Sequence, residues 1–223
     1  MFFAAITPLL PEYSARLDLS KAGAGVLAAS YAVGALVGAL PMGWLAARWG
    51  VRQTVLLGLA VLGVSSVAFG FAREVWLLDL VRFAQGAGGG GLWAGGLAWL
   101  VAAAPRERRS EVMGGALGAA IFGALLGPTL GTLASVAGTE VTFSGVAVVA
   151  AGLALLIVRL PAPPAGDQHE LWRLGPGLRH RLVRGGVWLI VVPSVAFGVV
   201  DVLGPLRLHD RGAGAGVSGA VGR

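Results

Sequence analysis

Long apolar blocks alternate with short charged stretches along this chain. No Asp, Glu, Lys or Arg lies between Gly23 and Arg48, and the same holds for 54–72, 83–104, 112–138, 141–158 and 186–200. Each block is near the ~20 residues that cross ~30 Å of hydrocarbon at about 1.5 Å per residue. In lipid every backbone N–H and C=O must be paired within the protein, which leaves helices or closed barrels. A barrel strand alternates polar and apolar over about ten residues, whereas these blocks are continuous. A buried helix of a soluble core is usually shorter, and six such blocks exceed any single core. The pattern therefore predicts an all-α polytopic membrane protein.

Helices are expected near 24–46, 54–72, 76–102, 112–135, 140–158 and 186–204. Residues 1–10 are apolar but too short to span, lack the charged start of a signal peptide, and end at Pro11 and Glu12. They read as the end of a truncated first helix, so the six blocks count as the second to the seventh. Residues 212–223 read as the beginning of an eighth. The stretch after Arg159 carries Pro161, Pro163, Pro164 and Gly166 with several basic residues and reads as a solvated linker. The expected organisation is a bundle at 1–158, a linker at 159–185 and the start of a second bundle at 186–223.

Charge fixes the expected orientation. Arg48, Arg52, Arg106, Arg108, Arg109, Arg159, Arg173, Arg179, Arg181 and Arg184 fall on one side, against Arg16, Lys21, Arg73, Arg207 and Arg211 on the other. Lys and Arg concentrate in cytoplasmic loops, so the loops after the second, fourth and sixth helices are expected in the cytoplasm of a cell with this protein in its inner or plasma membrane. Only 13% of residues are charged, against about 25% in soluble domains. The net charge of +6 is accounted for by topology, and nothing resembles a basic recognition helix or an RNA-binding sheet, so no nucleic-acid partner is expected. Without cysteine the chain has neither a disulfide framework nor a thiolate metal site. His169, His180 and His209 lie apart in loops, and H-E-x-x-H, P-loop and G-x-S-x-G patterns are missing, so neither enzyme chemistry nor a cofactor is expected.

Four segments carry more information. The first, GWLAARWGVRQ at 43–53, joins the second and third helices. It resembles the loop signature of the major facilitator superfamily at Gly43, Arg48, Gly50 and Arg52, with Ala47 where the family usually has an aspartate and Gln53 where a second basic residue is common. The resemblance implies a cytoplasmic gate, here weakened or built differently; the other reading is a positive-inside loop with a turn glycine.

The second, RFAQGAGGGG at 82–91, resembles the family's Arg-x-x-Gln-Gly-x-Gly pattern. A charge within a span costs at least ~2.5 kcal/mol and faces protein or water. Arg82 either alters the proton affinity of a neighbouring carboxylate or holds an anion, or it forms a structural pair with Asp79, or it snorkels to the outer surface ~9 Å away near Trp76. Gln85 lies on the same path. Gly86, Gly88 and Gly91 also match a dinucleotide fingerprint, rejected because no strand precedes and no acidic ribose partner follows. Close packing or room for a substrate explains these glycines better.

The third, GALLGPTLGT at 123–132, is similar at Gly123, Gly127, Pro128 and Gly131 to the signature of facilitator-type drug and proton antiporters, which implies efflux; Thr132 replaces a frequent glycine. Pro128 bends the helix and the glycines let another approach, or the segment is an ordinary packing seam. Fourth, GALVGALPMG at 34–43 parallels it, as expected of inverted three-helix repeats. Asp201 either joins a proton pathway or caps a helix near Pro205. Trp44, Trp49, Trp76 and Trp99 are expected as interfacial anchors, and Trp93 as a cavity-lining residue.

A family member has twelve helices in two bundles that rock around a midplane site. The resemblance therefore implies one nearly complete bundle and the first helix of the next. It implies a proton-coupled exporter of small, amphipathic molecules working by alternating access, with the bilayer, a small-molecule substrate and protons as partners. The alternative is a truncated half-transporter or relic without transport of its own.

Overall fold

The computed structural model describes residues 16–161 together with Ile6, Leu9 and Tyr13, and all of them fall within one compact unit. The elements are α1 (Lys21–Trp49), α2 (Val51–Phe71), α3 (Val75–Ala103), a single 3₁₀ turn (Arg106–Arg108), α4 (Arg109–Leu125), α5 (Gly127–Ala137) and α6 (Thr139–Arg159). No strand occurs among the described residues. The predicted helix at 186–204, the linker beyond Pro161 and Asp201 lie outside them.

The charge-free blocks become helices whose ends sit where polarity returns. Ser20 caps α1 by accepting from the Gly23 N–H at 3.1 Å. The α1–α2 turn is one residue long: Gly50 adopts φ 97°, which an L side chain strains to reach. Its N–H donates to the Ala46 carbonyl at 3.1 Å, and its carbonyl accepts from the Thr54 hydroxyl at 3.1 Å. Gly138, with φ 91°, makes the same kind of break between α5 and α6.

The predicted fifth helix, expected to run unbroken with a bend, divides at Leu126 into α4 and α5. Pro128 is the cause: it has no N–H for the preceding turn, and it sits in the first turn of α5, the one place where a helix tolerates that loss. Together the 32 residues from Arg106 to Ala137 are long and apolar enough to cross a membrane, as are Ala22–Trp49, Val51–Phe71 and Thr139–Arg159. α3, which carries the glycine run and Arg82, Asp79 and Gln85, is not among these four, and it is the helix that α1 and α2 enclose. Its neighbours turn apolar side chains outward, as lipid-facing helices do; Val64 is 72% exposed.

Glycine sets how closely α3 is enclosed. A methyl group at Gly34 would fall 2.0 Å from the Phe83 carbonyl oxygen, and one at Gly86 would fall 2.0 Å from that of Tyr31. Gly38 against Ala87 and Gly90 against Ala35 continue the seam one turn on. On the other side Gly58 of α2 meets the backbone of Gly88. The glycine run is thus a packing device that lets three backbones approach. At one end Phe69, Phe143 and Tyr13 form the aromatic part of the core, the first two with ring centroids 4.7 Å apart. At the other, Val55, Leu59 and Ala150 pack with Leu92 and Trp99.

A buried polar chain on the glycine-rich helix

Arg82 is 1% exposed and Gln85 is fully buried, one turn apart on α3. Arg82 Nη1 donates to Gln85 Oε1 at 3.3 Å, and Gln85 Nε2 donates to the hydroxyl of Ser66 on α2 at 3.3 Å. The Ser66 side chain is fully buried too. The guanidinium carbon lies 5.0 Å from the ring centroid of Tyr31 on α1 and 5.9 Å from that of Phe69 on α2. A cation against two aromatic faces in a site closed to solvent gains more than it would at a surface. The close seam positions these groups: Gly86 brings the Tyr31 backbone against α3, and Gly89 leaves the space that the Tyr31 hydroxyl fills.

This geometry speaks against two of the readings that the sequence left open for Arg82. Snorkelling fails because the side chain is enclosed. The expected pairing with Asp79 is not formed: no ion pair joins them, since Arg82 extends toward Gln85 and the rings. Asp79, one turn earlier, lies instead beside Ser30 of α1. Its Oδ1 is buried and has no hydrogen-bond partner among the described residues. Chemically the arrangement is a fixed cation linked to an amide and a hydroxyl, each able to donate or accept, with a poorly satisfied carboxylate a turn away. Such a set can hold an anionic group or respond to the proton state of a neighbouring acid.

Tyr31, Ser66 and Phe69 were not singled out from the sequence. The available signals were a tyrosine, one of two in the chain, and a serine pair, each inside an otherwise apolar block.

The other predicted residues lie elsewhere. Trp93 is on α3 about three turns from Arg82 and is 49% exposed, so it does not join the chain. At the α1–α2 turn Arg48 stacks on Trp44, its guanidinium carbon 5.2 Å from the ring centroid. Gly43 lies two turns back on α1 and Arg52 in the first turn of α2; Ala47 supplies no carboxylate to the turn. Gly127 and Gly131 are buried in α5, whereas Gly123 has nothing within 4 Å of a methyl group placed on it, so no described helix approaches there. No cluster of His, Cys, Asp or Glu suited to a metal occurs among the described residues.

Comparison with known proteins gives a consistent pattern. Residues 1–221 match the Major Facilitator Superfamily. An uncharacterized MFS-type transporter of Enterobacter sp. (strain 638) is 25% identical over 210 residues, covering 94% of this chain and 55% of that protein. Multidrug resistance protein 2 of Bacillus subtilis (strain 168) is 25% identical over 157 residues, 69% of this chain and 39% of that one. The inward open conformation of the xylose transporter XylE from E. coli superposes with a TM-score of 0.61 over 94% of this chain and 53% of XylE. At 18% identity this is a likeness of fold alone. The chain spans about half the length of the curated relatives it matches over most of its own length.

Proposed function

Because the chain belongs to the Major Facilitator Superfamily, a family of multi-pass membrane proteins, we propose that it is part of a secondary transporter of small molecules, acting by transport and not by enzyme chemistry. Within that reading it works by proton-coupled efflux with alternating access, in the inner or plasma membrane, with the loops after α1, α3 and α6 on the cytoplasmic side. The observation that carries the proposal is the buried chain Arg82–Gln85–Ser66, which joins α3 to α2 within the bundle. Keeping a charge there costs at least about 2.5 kcal/mol, offset here by Gln85 and the rings of Tyr31 and Phe69, and ionisable residues held inside a span commonly mark a transport path. Arg82 and Gln85 form the coupling path, and Asp79 is the adjoining carboxylate that exchanges the proton. Gly43, Arg48, Gly50 and Arg52 form the gating turn. Gly127, Pro128 and Gly131 make the break at which α5 moves against α4, with Gly123 one turn before it. Trp93 and Asp201 complete the substrate path. Efflux, as against uptake, is supported by the 123–132 segment and by the name of the Bacillus relative.

The test is proton movement in proteoliposomes holding the chain, driven by an imposed gradient of a lipophilic cation such as ethidium. Wild type should move protons against dye, and Arg82→Ala should abolish this while membrane insertion is unchanged. Equal proton movement in Arg82→Ala would remove the coupling role. A second reading follows from the chain's covering 55% of a relative: alone, it does not transport and needs a further bundle. Wild-type vesicles that move no protons, and gain the activity when residues completing a second bundle are appended, would establish it.

A further inference from the structure

The α2–α6 face offers a second site, independent of the transport reading. An apolar groove of about 350 Å³ runs between the two helices, lined by residues including Leu56, Gly63 and Val67 of α2 and Ala147, Ala151 and Ala154 of α6. From Leu56 to Val67 it extends ~17 Å along α2, close to the ~15 Å depth of one leaflet's hydrocarbon.

The helices are antiparallel in a register fixed by two contacts. Gly63 faces Ala147 and Ala150, and Gly70 faces Glu140. Stepping from Gly63 back to Arg52, and equally far forward along α6, brings Arg52 level with 158–161, the turn that holds Arg159. Arg52 also falls on the groove stripe of α2, at helical spacing from Leu56, Leu59 and Gly63. Arg52 therefore stands in line with the groove at one mouth, and Arg159 is level with it in the last turn of α6, about a third of a turn off the stripe of Ala147, Ala151 and Ala154.

The two mouths differ in charge. At the far mouth Arg73 is neutralised by Glu140, with N···O 3.2 Å. At the near mouth neither Arg52 nor Arg159 has a hydrogen bond or ion pair with any described residue. Arg52 moreover stands in the first turn of α2, which carries no acid, where the helix dipole disfavours a cation and favours an anion. An apolar slot one leaflet deep, ending at two unopposed guanidiniums at the membrane surface, matches one ligand chemistry: an acyl chain joined to a phosphate.

We propose that the α2–α6 groove binds an anionic phospholipid, its acyl chain along Gly63 and Ala151 and its phosphate between Arg52 and Arg159. The site is distinct from the Arg82 chain and holds whichever leaflet that mouth faces.

The test is native mass spectrometry of the full chain released from detergent, titrated with phosphatidylglycerol or phosphatidylcholine of identical acyl chains. Wild type should retain phosphatidylglycerol at least about tenfold over phosphatidylcholine. Arg52→Gln with Arg159→Gln should lower that retention roughly 30-fold, from about a fivefold factor for each arginine at a membrane surface. The double lysine variant should keep most of it, which separates lost charge from lost fold. Ala151→Trp, on the exposed wall of the groove, should displace the chain with all arginines in place. Undiminished retention in both the double glutamine and the tryptophan variants would overturn the proposal. So would paired chains that Ala151→Trp splits, since a second copy would then be the occupant.

Discussion

Two stretches of this chain look alike in one dimension and behave in opposite ways. Residues 86–91 on α3 and 114–123 on α4 are both rich in glycine and alanine within a span, the second also holding Leu117, Ile121 and Phe122. On α3, methyl groups at Gly86, Gly88 and Gly90 would all come within 3.0 Å of a neighbouring backbone atom. On α4, Gly114, Gly115, Gly118 and Gly123 have nothing within 4 Å, and the helix buries none of its residues. Small-residue spacing makes close approach feasible; a partner with matching small residues makes it happen. α1 supplies that partner for α3 through Gly34 and Gly38, and among the described helices nothing does so for α4.

The contrast can be broken or sharpened by substitution. The largest effect is expected from Gly86→Ala, because the obstructing Tyr31 carbonyl is backbone and cannot rotate away. A loss of about 3 kcal/mol is expected in detergent unfolding followed by tryptophan fluorescence; a wild-type midpoint would mean that α1 and α3 are not in contact there. Next comes Arg82→Ala, which strands the buried Gln85 amide that the guanidinium satisfies. It should cost about 2 kcal/mol on the same scale, with Arg82→Lys between the two. Gly58→Ala meets the Gly88 carbonyl oxygen at 3.0 Å, a few tenths of an ångström too close, so a loss of about 1 kcal/mol is expected. Smallest is Gly123→Ala, expected within about 0.5 kcal/mol of wild type. A large loss at Gly123 would show that a helix covers α4 after all.

Much of the fold was legible from charge alone. The expected helices at 76–102 and 140–158 differ by one residue at each end from Val75–Ala103 and Thr139–Arg159, because Arg and Glu mark where the chain leaves the apolar medium. The break at Leu126 was less legible. Pro128 signalled a disturbance, but whether a helix bends or divides depends on what holds the two halves, and α4 buries nothing that would keep it in line. The candidate site was half legible. Arg82 and Gln85 stood out as polar residues in an apolar helix, yet sequence spacing offers only same-helix neighbours such as Asp79. The residues that Arg82 meets on other helices, Tyr31 and Phe69, and Ser66 beyond Gln85, come from blocks brought beside it only by the glycine seams. Spacing on one helix says nothing about them.

The most direct test of the central claim keeps Arg82 and cuts the chain it starts. Gln85→Leu, nearly equal in volume, removes both the acceptor for Arg82 and the donor to Ser66 while leaving the charge in place. Dye-driven proton movement should be measured in proteoliposomes with wild type and this variant at matched insertion, using the polypeptide with both bundles if the shorter one is silent. Coupled movement is expected to fall at least about tenfold in the variant, the loss of roughly 1.4 kcal/mol from one charge-assisted hydrogen bond. A variant that couples at the wild-type rate would contradict the coupling role and leave the buried chain a structural feature of α3.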